Sequence, residues 1–459
     1  MAAGRGDVTT ATVPPGQPTA ASAACAPSLG PFERVRGLTA KAPLPRLLPV
    51  RQRYDAPVEP EVVAATRREL ESLRGRIQPG AHIAVTAGSR GIRDVAVVIK
   101  AACDWLKELG AEPFIVPAMG SHGGATADGQ RAVLASYGVT EERMGVPIRA
   151  TMDTVVLGRV PDGPPVHLDA YAAQADGILL VNRVKPHTDF HGEVESGLAK
   201  IAAIGLGKQR GAEAIHAYGS PNLPRWVPLV ARRIVESGRV LGGLAILENA
   251  YERTARVAFV EPDGVAGAAE AALLGEARQL LGRLPFDDLD VLIVDELGKD
   301  KSGSGMDTNV IGRMWIEGVP EPERPRVTNI TVHAISEASH GNAVGVGLAD
   351  FIPFRVLEQI DLHALYVNAM TSGIGGVRRA KLPIALPTDR DAVAAAIAMC
   401  GRPDVENVRL VRIHDTLDTV SLLVSESLRA EVEAHPRLEV TGDPVPFECS
   451  AEGDLPAWP

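Results

Sequence analysis

The chain has 459 residues and a formal net charge of -10, with 47 Lys and Arg against 57 Asp and Glu. A length prior of about 150 residues per domain allows two or three domains. The absence of a dense basic run argues against a phosphate-tracking nucleic-acid surface, and no apolar run approaches the roughly 20 residues of a membrane span. Met1 to Pro31 lacks the charged start and apolar centre of a signal peptide, so the expectation is a cytoplasmic protein with a small-molecule partner, no nucleic acid and no membrane. The four cysteines, Cys25, Cys103, Cys400 and Cys449, are far apart and read as free thiols.

Residues 1–30 are rich in Ala, Thr, Pro and Gly without an apolar period, which predicts a disordered tail. The chain then alternates. "EVVAATRRELESLRG" predicts a helix, "AHIAVTAG" a strand, "RDVAVVIKAACDWLKELG" a helix ended by glycine, and "PFIVPAMG" a strand. "TADGQRAVLASYG" predicts a helix capped by Thr126, and the continuous apolar run "DGILLVNRV" a strand covered on both faces. Two strands, "LGGLAILEN" and "ARVAFVEP", lie between the helices "RWVPLVARRIVESG" and "VAGAAEAALLGEARQLLGRL". After residue 286 a second series opens with "LDVLIVDELG", "RVTNITVHAI" and "HALYVNAM" as strands, then a helix in "DRDAVAAAIAMCG" and strands "VRLVRI" and "TVSLLVS". The expected fold is α/β: an N-terminal catalytic domain over 31–286 and a C-terminal domain over 287–459, with a cleft between them. No short internal repeat is present.

Ligands in open α/β sheets sit beyond the carboxyl ends of strands, and three loops there carry chemistry. "TAGSRGIRD" combines Ser89 and Arg90, donors for a phosphate or carboxylate. "MGSHGGATADG" sets His122 between Gly120 and Gly123 just before a helix, where backbone N–H groups face an anion. "RVKPHTDFHGEVESGLAKIAAIGLGKQRGAEAIH" carries His187, His191, Lys200 and His216. The i,i+4 pair His187 and His191 with His216 would suit a three-histidine zinc site, though Pro186 and Gly192 weaken a regular helix there. Lys200 follows small and apolar residues, and desolvation would make its amine nucleophilic.

The run Pro186-His187, Lys200 and His216, preceded by Arg90 and by His122 in "GSHGG", resembles the nickel-pincer-nucleotide-dependent lactate racemase family. The interval from Lys200 to His216 is its most specific part, and the likeness runs from about residue 45 to the end, more weakly in the last third. The resemblance implies two α/β domains and a covalently bound nickel-pincer nucleotide, pyridinium-3,5-bisthiocarboxylic acid mononucleotide with nickel, made by cofactor-biosynthesis proteins. It implies that Lys200 tethers the cofactor, that His216 ligates nickel, and that His122 and His187 act as acid and base on opposite faces of a 2-hydroxy acid. Ser89 and Gly123 then border the cofactor, and Arg90 orients the substrate. The family's mechanism is proton-coupled hydride transfer, which avoids a carbanion at a weakly acidic carbon.

The chain departs from the family around "TAGSRG" and in the longer interval from His187 to Lys200, which leaves His191 a rival for the second base. "GKDKSGSGMDTNVIGR" replaces the family's substrate-holding cluster. Lys299, Lys301, Asp307, Asn309 and Arg313 are the substrate-binding candidates there, and their extra donors point to a hydroxy acid larger than lactate. His333 and His340 are further candidates for the cleft. Two other functions stay open: a zinc-dependent hydrolase using His187, His191 and His216, and a non-catalytic binding protein for an anionic metabolite.

Overall fold

A computed structural model describes residues 32–39, 42–89 and 91–459. The tail expected over 1–30, Cys25 and Arg90 lie outside the described residues. The strands in chain order are β1 (Arg46–Gln52), β2 (His82–Ala87), β3 (Glu112–Pro117), β4 (Thr154–Arg159), β5 (Pro165–Asp169), β6 (Gly177–Arg183), β7 (Val240–Glu248) and β8 (Thr254–Val260). They continue as β9 (Asp288–Val294), β10 (Arg326–Val332), β11 (Phe351–Pro353), β12 (Ile384–Leu386), β13 (Leu410–Ile413), β14 (Ser421–Ser425), β15 (Leu438–Val440) and β16 (Val445–Pro446).

The fold is α/β, as the alternating pattern predicts. One sheet has the order β3-β2-β6-β7-β8, parallel except for β8. Its strands bury both faces: Ala84 and Leu180 belong to one apolar cluster, and Ile83, Val85, Leu179 and Val181 to the opposite one. That two-sided burial is why "DGILLVNRV" shows no alternation. The larger sheet has the order β12-β11-β10-β9-β13-β14-β1-β15, with β16 also on β1. Its parallel half, β9 to β13, packs Leu292 and Val294 on one side and Val291 and Ile293 on the other.

Two details differ from the sequence reading. β1 comes before every strand of the smaller sheet, yet it pairs antiparallel with β14 in the larger one. "HALYVNAM" is not a strand: Leu362–Thr371 is a helix, begun by the Asp361 side chain accepting from Ala364 N at 3.0 Å. The β4–β5 hairpin, turning at Pro161-Asp162-Gly163, adds a third small sheet. Among the described residues no helix is long and apolar enough to cross a membrane, and Cys103, Cys400 and Cys449 are free thiols.

In the smaller sheet the connections diverge between β2 and β6, and in the larger sheet between β9 and β13, the crevices where parallel sheets bind ligands. The loops leaving these strands meet. The Lys185 ammonium, just past β6, pairs with Asp307, beyond β9, at 3.1 Å.

Candidate active site

The loop after β6 is closed at its base, because Lys185 N donates to Ser196 O at 2.9 Å in an isolated bridge. Inside it, fully buried Glu195 acts as the organiser. Its carboxylate accepts from His187 N at 2.6 Å, from Gly192 N at 3.1 Å and from Arg278 Nη2 at 2.6 Å. Burial alone would raise its pKa; the His191 side chain and these backbone donors bring it below the ordinary value.

His187 is 8% exposed and stacks on Phe190 at 4.4 Å between ring centroids. Its Nδ1 accepts from Asp189 N at 2.9 Å, and its Nε2 stands 2.6 Å from Lys200 Nζ. Burial and then the neighbouring Lys200 charge push its pKa well below the usual 6.5. Asp189, in turn, would be raised by burial, but Arg379 and His187 hold it low.

Lys200 ends a short helical turn, Leu198–Lys200, whose start is capped by the buried Glu270 carboxylate accepting from Ala199 N at 3.0 Å. Gly197 is required there, since a Cβ on it would lie 2.3 Å from Glu270 Oε1. A π-helical turn over Ile201–Gly205 then carries the chain to Lys208–His216, an irregularity common at functional sites. His216 is near enough to Lys200, Asp189 and His187 to interact electrostatically with each. Burial lowers its pKa, and its imidazole makes no hydrogen bond among the described residues. His187, Lys200 and His216 therefore gather at one place.

The "GSHGG" loop is locked to the same segment. Lys208 is fully buried, ion-pairs with Asp169 at 3.1 Å, and donates to Pro117 O and to Gln130 Oε1. Gln130 Nε2 in turn donates to Gly120 O at 2.9 Å and His122 O at 3.3 Å. His122 itself is exposed at the loop tip. Gly123 is demanded by packing on one side: at φ +66, a Cβ on it would lie 2.5 Å from Gly129 C of the following helix. Ser89 is half-buried and its carbonyl accepts from Tyr137 Oη at 2.6 Å; Gly88 beside it lies against Asn182 and Ile201.

The candidates beyond β9 all make contacts within the protein. Asp307 caps a helix by accepting from Asn309 N at 3.0 Å while pairing with Lys185, and Asn309 Nδ2 donates to its carboxylate at 2.9 Å and to His187 O at 3.4 Å. Thr308 Oγ1 donates to Thr188 O at 2.9 Å, so this segment braces the histidine loop. Lys301 is ringed by Asp300, Glu296 and Asp415, at 3.0, 3.2 and 3.5 Å. Burial opposes its charge, yet these carboxylates raise its pKa. Lys299 donates to Gly303 O. Buried Arg313 donates to Leu348 O, Asp350, Val327 O and Thr328 O. Lys299, Lys301 and Arg313, expected to grip a larger substrate, are each engaged by the protein's own carboxylates or carbonyls in this structure. His333 is also structural, with Nδ1 2.9 Å from Asp389 and Nε2 2.8 Å from Thr331, while His340 is exposed.

The zinc reading fares poorly too. Both His187 nitrogens are engaged within the protein, His191 Nδ1 lies 3.3 Å from Glu195, and no group of three His, Cys, Asp or Glu among the described residues is arranged to hold a metal. Two open cavities of about 620 and 660 Å³ border Trp315 and Glu321, and neither is lined by His122, His187, Lys200 or His216.

The fold resembles two solved structures. A crystal structure of a Thermotoga maritima protein aligns with a TM-score of 0.46 at 13% identity, over 76% of this chain and 93% of that one. The lactate racemase apoprotein from Thermoanaerobacterium thermosaccharolyticum aligns with a TM-score of 0.41 at 10% identity, over 81% and 88%. At TM-scores below 0.5 neither bears on what this chain does. No family model matches the sequence, and no curated protein matches it.

Several residues that build the site were not singled out in the sequence: Glu195, Glu270, Arg379, Lys208, Asp169 and Gln130. Glu270 alone had a local signal, a single acid in the first turn of an Ala- and Leu-rich helix.

Proposed function

We propose that the chain is an isomerase that racemises or epimerises a 2-hydroxy acid, using a nickel-pincer nucleotide held by Lys200 and His216. The observation that supports this most is the convergence of His187, Lys200 and His216 at one crevice, with His187 Nε2 2.6 Å from the Lys200 amine. The donor set fits the group. A pincer brings its own sulfur and carbon donors, so the protein needs one amine for the acyl link and one imidazole for the metal. Lys200 is a half-buried amine, and His216 is an imidazole not engaged in any hydrogen bond among the described residues. When bound, the group supplies a reversible hydride acceptor.

The chain's own residues would manage protons and position. Burial keeps His187 neutral near pH 7, the form that takes a proton from a hydroxyl group. His122, at the tip of a loop anchored by Gln130, is the proposed second acid and base. The loop contacts of Asp307, Thr308 and Asn309 fix His187 rather than the substrate. Lys299, Lys301 and Arg313 are engaged internally in this structure, so the reading of a substrate larger than lactate gains no geometric support from them.

The test is to produce the full chain together with cofactor-biosynthesis proteins, then measure intact mass, nickel content and interconversion of single enantiomers from a panel of 2-hydroxy acids. The expected result is a mass increment on Lys200, absent from Lys200→Ala, with enantiomer interconversion. An unmodified Lys200 under those conditions would overturn the reading.

A further inference from the structure

We infer that two copies of this chain associate through the outer face of the helix pair Leu362–Thr371 and Gly373–Arg379, in a two-fold contact of like with like. The first helix, LHALYVNAMT, is apolar nearly all round, yet only Leu365 and Ala369 are buried. Leu362, Tyr366 and Met370 follow one another at four-residue spacing on the outer side, with Val367 beside them. Met370 is 75% exposed and Tyr366 54%. A helix that is hydrophobic on all sides is one that its surroundings cover. The second helix adds exposed Ile374 and Val377. This face is preformed, because the two helices pack too closely for side chains at their contact: a Cβ on Gly376 would lie 2.5 Å from Ala369 O, and one on Gly375 3.2 Å from Ile316 Cγ1.

Charge and area identify the occupant as a second copy. In a two-fold contact each residue meets the same patch on its partner, so the patch must tolerate itself. From Leu362 to Val377 the sequence has no Asp, Glu, Lys or Arg, whereas the chain as a whole carries a net charge of -10 that repels its own copies. The six exposed apolar side chains present on the order of 600 Å², and Leu382 and Ile384, exposed just beyond the second helix, bring this near the roughly 800 Å² that each partner gives to a standard interface. A membrane surface fits less well, since helices that lie on lipid carry Lys and Arg beside the apolar face, and none occurs here before Arg378. Residues 1–30 hold only Met1, Val8, Val13 and Leu29 as large apolar side chains, too few to match the patch. The covered surface includes the helix whose last residue, Arg379, grips Asp189, so the contact adjoins the support of the candidate site without depending on the proposed function.

Light scattering of the full-length protein over about 1–100 µM tests it. The expected mass is twice the 48.4 kDa of the chain, falling on dilution. Tyr366→Lys with Met370→Lys replaces exposed side chains by a good helix former near a helix C-terminus, so circular dichroism should be unchanged while the dimer dissociation constant rises at least about tenfold. A wild-type chain that stays monomeric throughout overturns the inference, as does a dimer equally tight in the double variant. Should that variant unfold, hydrogen peroxide footprinting of wild type decides: Met370 oxidised more slowly at the high end of the concentration series than at the low end supports the contact, and equal rates overturn it. A monomer that sediments with phosphatidylserine-containing vesicles, and no longer does so in the double variant, would give the face to a membrane instead. A monomer whose Met370 resists peroxide at every dilution would give it to another segment of the same chain.

Discussion

Arg379 donates to Thr188 O at 2.9 Å and to Asp189 Oδ1 at 2.5 Å, joining the helix Gly373–Arg379 to the loop that carries His187. The guanidinium is 4% exposed and also donates to Met314 O, so it is a planar fork held on three sides. Arg379→Met should cost about 1–3 kcal/mol, because it leaves the half-buried Asp189 carboxylate and the Thr188 and Met314 carbonyls without their donor. Urea unfolding measures this, and Arg379→Met with Asp189→Asn should recover much of the loss. If the single variant unfolds like wild type, the pair does not hold the loop.

The Lys208–Asp169 pair makes a second prediction. Both side chains are fully buried, and Lys208 adopts a left-handed φ of +54, a cost tolerated only where surroundings enforce it. Asp169 Oδ2 lies 3.1 Å from the ammonium, so the two buried charges meet directly. Lys208→Met should destabilise by about 3–5 kcal/mol, and adding Asp169→Asn, which removes the charge and keeps the acceptor for Ala172 N, should restore part of it. Hydrogen exchange over residues 118–124 should remain faster in the double variant, since Gln130 has lost the partner that aims it at Gly120 O and His122 O.

Arg313 separates structural from substrate-binding roles. Its donors reach three backbone carbonyls and Asp350, tying the Gly312–Met314 segment to β10 and β11. Arg313→Ala should lower stability by roughly 3 kcal/mol or more, from several buried acceptors left unpaired. In an active preparation KM should stay within about twofold, and a large KM rise at unchanged stability would return Arg313 to the substrate.

The strand and helix order was legible wherever burial imprints a period. "AHIAVTAG" and "DGILLVNRV" became β2 and β6 because both faces of those strands are covered. "HALYVNAM" misled because its large apolar side chains are mainly on the surface: Tyr366, Val367 and Met370 are exposed and Leu365 is buried, so no one-sided stripe marks the helix. β1 gave no hint of its partners, since pairing with β14 is a contact between the two ends of the chain. In the site, local sequence pointed to His187, Lys200 and His216, which share one segment. It could not show that Lys301 and Arg313 face carboxylates and carbonyls from Glu296 to Asp415, because a lone basic residue in a loop reads the same whether its partner is a ligand or the protein.

The two site histidines also contribute to how stability responds to acid, against the carboxylates Glu270, Asp169 and Glu252, whose pKa values desolvation raises. His187 is shifted down by burial and then by Lys200, and His216 by burial first. Each is neutral in the folded protein at pH values where the unfolded chain, with an ordinary pKa near 6.5, already binds a proton. The unfolded state thus carries more protons in that window, and stability rises with pH. The contribution is complete above about pH 6.5 and is lost as the pH falls below it toward the folded pKa values, at up to about 1.4 kcal/mol per pH unit for each histidine. Asp189 and Glu195 are shifted the same way but from carboxylate values, so they act only below about pH 4. His167 and His435 are also lowered, but they are less buried and add less. Urea unfolding at pH 7.5, 6.5 and 5.5 should show wild type weakening across the last interval, with a shallower slope in His187→Gln and a shallower one again when His216→Gln is added. A slope unchanged by both substitutions would mean that these imidazoles are not held neutral by the fold.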